Sequence, residues 1–135
     1  MSQLRGSCLC GAIEFEVIGP IRGVGTCHCS KCRKVSGAAG NAQFIVRAGK
    51  FNWVKGEEHR VTYRLADGWG PSRCGTCGSP VPDSYDGGER IWVQAGLMND
   101  PLNAEIVQHI FCDSRADWDR DAANVQFHPE YPAGL

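Results

Sequence analysis

Three cysteines fall within six consecutive residues, Cys27-His28-Cys29-Ser30-Lys31-Cys32. This spacing lets one tight turn direct three sulfurs towards a common point, and soft thiolate ligands favour zinc or an iron–sulfur cluster over magnesium or calcium. A catalytic zinc keeps one coordination position for water or substrate, whereas a structural zinc is enclosed by protein ligands. We therefore predict that Cys27, Cys29 and Cys32, the three-thiol cluster, form a catalytic metal centre.

Four further cysteines predict a second, structural site. Cys74-Gly75-Thr76-Cys77-Gly78 has the spacing of a zinc knuckle, in which the last glycine can adopt a positive φ and let backbone amides face the thiolates. The partner pair is Cys8-Leu9-Cys10-Gly11, which also ends in glycine. The two pairs together would enclose a structural zinc that contributes directly to folding. We call this set the four-thiol cluster: Cys8, Cys10, Cys74 and Cys77.

The fourth ligand of the three-thiol cluster has several candidates: His28, His109, Cys112, a carboxylate or an outside molecule. His28 lies between two of the thiols and would be hard to turn inward with both, so we expect it to pack or to face solvent. Cys112 is the main rival, because as a fourth ligand it would close the site and remove the catalytic argument. We expect Cys112 instead to be a small buried residue at the end of a strand.

The type of ligand limits the chemistry of the three-thiol cluster. Hydrolytic zinc sites usually rely on histidine and carboxylate ligands, which leave the ion positive enough to acidify water. Three thiolates more than neutralise the dication, but an exogenous thiol at the fourth position would still be held as a thiolate. The expected reaction is therefore thiol addition to a small electrophile such as an aldehyde, or its reverse, rather than peptide or ester hydrolysis.

Length and composition favour one small domain spanning residues 1–135, since the chain is 135 residues long with a net charge of −1. This charge gives no reason to expect nucleic-acid or membrane binding. We expect a cytoplasmic protein, because the sequence has no secretory signal or apolar run long enough to cross a bilayer. Eight cysteines in that reducing compartment, in close groups, indicate metal chelation rather than disulfides.

The pattern of apolar residues predicts a mainly β fold of several small sheets with one or two short helical turns. We expect the aromatic residues to belong mostly to the core and the sheet faces. Ala48-Gly49-Lys50 is interpreted as a hairpin turn between two strands. The expected elements are strands at 12–18, 43–47, 51–54, 59–65, 90–95 and 105–111, an extended piece at 21–26, and helical turns at 30–36 and 114–120.

The cysteine motifs and their order resemble the glutathione-dependent formaldehyde-activating (GFA) family, whose fold is similar to the small zinc-binding β domain called Mss4-like. The resemblance spans nearly the whole chain. It depends on Gly6-Ser7-Cys8-Leu9-Cys10-Gly11, Cys27-His28-Cys29-Ser30-Lys31-Cys32-Arg33-Lys34, Cys74-Gly75-Thr76-Cys77-Gly78, His109-Ile110-Phe111 and Gln126-Phe127.

The resemblance implies two zinc ions per chain, a structural one on the four-thiol cluster and a more labile, catalytic one on the three-thiol cluster. It also implies a carbon–sulfur lyase that joins glutathione as co-substrate to formaldehyde, giving S-hydroxymethylglutathione, or runs the reverse reaction. Glutathione carries two carboxylates, so cations should lie beside the catalytic centre. We expect Lys31, Arg33 and Lys34 to contact it, and Arg47 or Arg73 to fold nearby.

Three other hypotheses remain at this point. The protein could be a non-catalytic zinc module that binds a protein partner, since one fold hosts different functions. It could be a redox enzyme with Cys112 as nucleophile, because methionine sulfoxide reductases share a related fold. The metal could also be an iron–sulfur cluster, which would colour the purified protein.

Overall fold

The computed structural model describes residues 2–134, in which nine strands form three small sheets beside one short α-helix. The predicted mainly β fold is confirmed. Among the described residues, no helix is long and apolar enough to cross a membrane. The strands are β1 (Gln3–Ser7), β2 (Glu14–Ile18), β3 (Val24–Cys27), β4 (Asn41–Arg47), β5 (Phe51–Lys55), β6 (Arg60–Thr62), β7 (Ser72–Cys74), β8 (Arg90–Gln94) and β9 (Ile106–Ile110), and helix α1 spans Ser30–Ser36.

The first sheet has the order β1-β2-β5 and is antiparallel throughout. The alternation predicted for residues 12–18 is present, because Phe15 and Val17 are buried while the glutamates between and beside them are only partly buried. Gly6 lies opposite Phe15, and a side chain at that position would collide with the Phe15 ring. This close approach explains a glycine within β1, a strand that the sequence pattern did not predict.

The second sheet has the order β8-β4-β3-β9 and carries the three-thiol cluster. Strand β3 pairs antiparallel with β4 and parallel with β9, and Cys27 is its last residue. Phe44, Val46 and Val93 of this sheet share a hydrophobic core with residues of the first sheet. The end of β3 is thus held by a strand on each side.

The third sheet is the pair β6-β7, and it leads into the turn at Cys74-Gly75-Thr76-Cys77-Gly78. Beside it lies a second, smaller core in which Ile13 and Val81 pack with Cys8 and Cys74. Two members of the four-thiol cluster therefore belong to a hydrophobic core.

The hairpin predicted at Ala48-Gly49-Lys50 is wrong. These residues form a 3-10 turn between β4 and β5, and the two strands belong to different sheets. Phe51 and Trp53 of β5 pack against the Phe15 ring of β2, with centroids 5.5 Å and 6.2 Å away. Burial of these aromatic side chains against the first sheet outweighs local pairing with β4.

Two further predicted elements are shorter than expected or absent. The strand expected at 59–65 ends at Thr62, because Leu65 N–H donates to the Trp69 carbonyl (2.7 Å) and the chain turns there. No helix forms at 114–120 in the described chain, where the turns close after three residues, as in the Asp119 N–H to Ala116 carbonyl bond. Strand β7 was also not predicted.

Candidate metal centres

The four-thiol cluster joins two turns that are far apart in sequence. The sulfurs of Cys8, Cys10, Cys74 and Cys77 all lie within 4.8 Å of one another. Cys8 follows β1, whereas Cys74 ends β7 and Cys77 lies on the knuckle that follows. None of these four cysteines forms a disulfide. The arrangement could hold one zinc ion with four protein ligands, the number found in structural sites.

Hydrogen-bond donors surround three sulfurs of the four-thiol cluster. The Ile13 N–H donates to Cys8 Sγ (3.3 Å), and the Thr76 N–H donates to Cys74 Sγ (3.4 Å). The Ser79 hydroxyl, 3.4 Å from Cys77 Sγ, and the Ser79 backbone lower the pKa of Cys77 to about 5. The Ala12 backbone also acts to lower the pKa of Cys10, but burial and the neighbouring thiols outweigh it and raise that pKa to about 11. Gly78 has a φ of +78°, as the knuckle predicted.

The three-thiol cluster is built where β3 meets α1. Cys27 ends β3, Cys29 is the N-cap of α1, and Cys32 lies in the first turn of the helix. Their sulfurs lie within 4.8 Å of one another. The Cys32 N–H donates to Cys29 Sγ (3.4 Å), so one cysteine side chain satisfies a free amide at the helix start. Cys27 and Cys32 are buried.

The three sulfurs of the three-thiol cluster differ in their tendency to ionise. Burial raises the pKa of Cys32 and that of Cys27. Burial also opposes ionisation of Cys29, but the Cys32 backbone and the neighbouring thiols lower its pKa overall. Three clustered soft donors, two of them hard to ionise alone, fit a metal that deprotonates the thiols it binds, such as zinc.

Within residues 2–134, the three-thiol cluster gains no fourth cysteine, histidine or carboxylate. Cys112 belongs to neither cluster, and it is exposed in a 3-10 turn after β9 rather than buried at a strand end. The expectation of a small buried residue at Cys112 is therefore wrong. Its Sγ instead lies 3.5 Å from the His109 carbonyl oxygen.

His28 is occupied by other partners. Its side chain is buried, which excludes the solvent-facing alternative, and its Nε2 lies 2.8 Å from His109 Nδ1. On the other side of the ring, Nδ1 lies 3.3 Å from the Ala39 carbonyl oxygen and 3.4 Å from an Asp119 carboxylate oxygen. These contacts tie the segment between Cys27 and Cys29 to β9 and to the tail.

Two concave regions adjoin the three-thiol cluster. Cys32 lines a cavity of about 170 Å³ together with Trp69, Tyr85 and Trp92. Cys27 lines a groove of about 280 Å³ together with residues of β9 such as Val107. Small molecules therefore have space beside two of the three cysteines.

A family model described as glutathione-dependent formaldehyde-activating enzyme matches residues 3–114, which include both clusters. The chain belongs to this family. One relative is a Halomonas elongata protein, named provisionally as a glutathione-dependent formaldehyde-activating enzyme, that is 39% identical over 62 residues. That match covers 45% of this chain and 40% of the relative's length.

A solved structure supports the fold. The crystal structure of a Rhodobacter sphaeroides protein matches with a TM-score of 0.58 and 23% sequence identity, covering 78% of this chain and 98% of that one. The fold of most of the chain is thus shared with a protein of low sequence identity.

The basic residues that the resemblance to this family suggested have different surroundings. Lys31 pairs with Asp67 (3.1 Å) and lies 5.6 Å from the centre of the Trp69 ring. Arg33 is partly buried, with no hydrogen-bond partner for its Nε, and Lys34 is exposed. Arg73 does fold close, since it donates to the Val35 carbonyl of α1 (2.5 Å). Arg47 instead lines a separate groove beside Pro20.

Sequence reasoning missed the aromatic wall of the cavity. Trp69, Tyr85 and Trp92 were expected to be core or sheet-face residues, yet all three line the cavity beside Cys32. They come from the loop before β7, the segment before β8, and β8 itself. The family's cysteine motifs contain no signal for them, because residues from three separate segments meet only in the folded chain.

Proposed function

We propose that this protein is a zinc-dependent carbon–sulfur lyase of the GFA type, acting on glutathione adducts of formaldehyde or of a related small electrophile. The observation that carries the proposal is the contrast between a cluster of four cysteines and a second cluster of only three, which adjoins two concave regions. Family membership supports the choice of glutathione and formaldehyde.

In the synthetic direction, the thiol sulfur of glutathione forms a bond to the carbonyl carbon of formaldehyde. The π bond of the carbonyl breaks towards oxygen, and the proton lost by the thiol ends on that oxygen. The product is S-hydroxymethylglutathione, and the lyase reaction is the reverse. When bound by Cys27, Cys29 and Cys32, zinc supplies stabilisation of an incoming thiol in its thiolate form.

The protein residues hold and shield this centre. Helix α1 fixes Cys29 and Cys32 relative to each other through the N-cap contact, and β3 fixes Cys27 between two strands. Burial of Cys27 and Cys32 limits water on that side of the cluster. We propose that Lys31, Arg33 and Lys34 bind the glutathione carboxylates. All three belong to α1 and lie within two residues of Cys32 in the sequence.

The proposal also includes the cellular location and the domain organisation. Free cysteines in close groups suit a reducing compartment, and we propose a cytoplasmic location. We further propose that residues 1–135 form one folding unit.

The test combines metal content with reaction rate. Two zinc ions per chain are expected, one of which a chelator removes faster, and glutathione is expected to slow that removal. Exchange between formaldehyde, glutathione and their adduct, followed by NMR exchange spectroscopy, should be faster with the protein than with the same concentration of Cys32→Ser. Equal exchange rates, or two zinc ions that are equally inert with and without glutathione, would contradict the proposal.

A further inference from the structure

The cavity beside Cys32 has features that formaldehyde does not require. Its volume is about 170 Å³, and Cys32 is a member of both its wall and the three-thiol cluster. The cavity therefore borders the proposed reaction centre. Its lining residues are Cys32, Val35, Asn41, Gln43, Trp69, Pro71, Tyr85, Trp92 and Gln94.

The volume corresponds to a ring rather than to a one-carbon compound. An apolar protein cavity of about 150 Å³ is known to bind benzene, and a water molecule occupies about 30 Å³ of liquid. Formaldehyde has two heavy atoms and would leave most of the cavity unused. The space is suited to a substituent about the size of a six-membered aromatic ring.

The aromatic wall is fixed by contacts among its own rings. Trp69 and Tyr85 are stacked, with centroids 6.4 Å apart and an interplanar angle of 16°. Tyr85 meets Trp92 edge to face, at 5.5 Å and 66°. Rings in these arrangements can offer both faces and edges to an aromatic ligand.

Cations outside the lining support these rings. Arg64 lies 5.1 Å from the Tyr85 ring centre and Arg90 lies 5.2 Å from that of Trp92. Arg64 is itself held by an ion pair with Asp83 (2.5 Å). The wall is thus organised before a ligand binds, which lowers the entropy cost of binding.

The chemistry of the lining indicates a neutral occupant. Among the described residues, the lining contains no lysine, arginine, aspartate or glutamate. The lining itself therefore offers no charged partner to a glutathione carboxylate, and an uncharged ring suits it better.

We propose that this cavity receives the substituent of the electrophile, and that the protein acts on aromatic aldehydes whose ring packs against Trp69, Tyr85 and Trp92. This inference rests on the proposed thiol-adduct function and extends it to a substrate class. The thiol sulfur bonds to the aldehyde carbon, and the carbonyl oxygen takes the π electron pair and the thiol proton. The product is a hemithioacetal, and no other reactant is needed.

The experiment compares two aldehydes on the zinc-loaded full-length protein. Adduct exchange of glutathione with benzaldehyde and with formaldehyde is measured by NMR exchange spectroscopy. We expect acceleration of both, and a fall of about tenfold in the benzaldehyde-to-formaldehyde rate ratio in Val35→Phe, which fills the cavity. The matched control is Trp118→Ala, which removes an exposed tryptophan outside the lining and should leave the ratio unchanged.

A binding measurement on the unaltered protein depends neither on whether Val35→Phe folds nor on catalytic activity. Benzyl alcohol, a neutral and unreactive ring, should shift the indole N–H signals of two of the four tryptophans in the unaltered protein. Acceleration with formaldehyde but not with benzaldehyde overturns the substrate class and leaves the proposed function standing. Acceleration with neither aldehyde overturns both. Binding of benzyl alcohol that leaves every indole signal unmoved also overturns the assignment of this cavity.

Discussion

The four-thiol and three-thiol clusters use the same ligand atom in different parts of the fold. The four-thiol cluster joins the turn after β1 to the knuckle after β7, two segments separated by about sixty residues, beside the small core around Ile13. The three-thiol cluster is local in sequence and lies at the junction of β3 and α1, next to concave regions. The difference indicates that long-range closure suits a structural metal, whereas a local, incompletely ligated turn suits a reactive one.

The acidity of the sulfurs does not separate the two clusters, because each contains shifts in both directions. In the four-thiol cluster, the Ser79 side chain and backbone lower the pKa of Cys77 to about 5, whereas that of Cys10 is raised to about 11. In the three-thiol cluster, burial raises the pKa of Cys32, whereas the Cys32 backbone and the neighbouring thiols lower that of Cys29. The number of cysteine ligands and the adjoining concave regions therefore distinguish the clusters.

The largest expected effect comes from breaking the four-thiol cluster. Cys74→Ser should remove one zinc ion and abolish cooperative thermal unfolding, because the metal links distant segments and Cys74 belongs to the second core. Circular dichroism melting and zinc analysis measure both effects. A variant that keeps its cooperative transition with one zinc fewer would show that this cluster is not structural.

The second largest effect is expected from replacing a cysteine of the three-thiol cluster, which should affect activity more than stability. Cys29→Ser should also remove one zinc ion and reduce adduct exchange by about a hundredfold or more, while the melting temperature changes by only a few degrees. Cys112→Ser is the matched control, because Cys112 is an exposed cysteine outside both clusters. Unfolding of Cys29→Ser, or equal loss of exchange in Cys112→Ser, would remove the distinction between the clusters.

A smaller effect is expected from the cations beside the three-thiol cluster. Arg33→Ala and Lys34→Ala should each weaken glutathione binding by about three- to tenfold, because each removes a charged partner for a carboxylate, with zinc content unchanged. Isothermal titration of the zinc-loaded protein with glutathione measures this. Lys55→Ala, which alters an exposed ion pair with Glu14 in the first sheet, is the control. Unaltered affinity in both variants would exclude these contacts.

The smallest effect concerns the loop that borders the cavity. The Trp69 N–H and the Lys31 side chain lower the pKa of Asp67 below its usual 3.8. A group with a lowered folded-state pKa stabilises the native state above its unfolded pKa, and this contribution is lost as pH falls through the folded value. Asp67→Asn should therefore cost slight stability at pH 7, where zinc stays bound, and the cost should shrink at high salt, which screens the exposed pair with Lys31. Thermal melting of both proteins at low and high salt measures this, and a difference that is unchanged at high salt would show that the effect is not electrostatic.

Much of the local structure followed from the sequence because its causes are local. Alternation of apolar residues predicted β2, and the spacing of Cys27, Cys29 and Cys32 predicted a turn leading into α1. The hairpin at Ala48-Gly49-Lys50 failed because the partner of a strand is chosen by burial of side chains such as Trp53, which neighbouring residues do not reveal.

The sequence by itself determined the two cysteine groups, their pairing into sets of four and three, and the preference for a soft metal, since thiol chemistry and short-range spacing are properties of the residues themselves. Only the tertiary structure decided that Cys112 lies outside both clusters and that His28 is bound to His109. It alone also brought Trp69, Tyr85 and Trp92 together beside Cys32. These contacts depend on how separate sheets pack. Segments that are distant along the chain are held together because they bury apolar surface against one another.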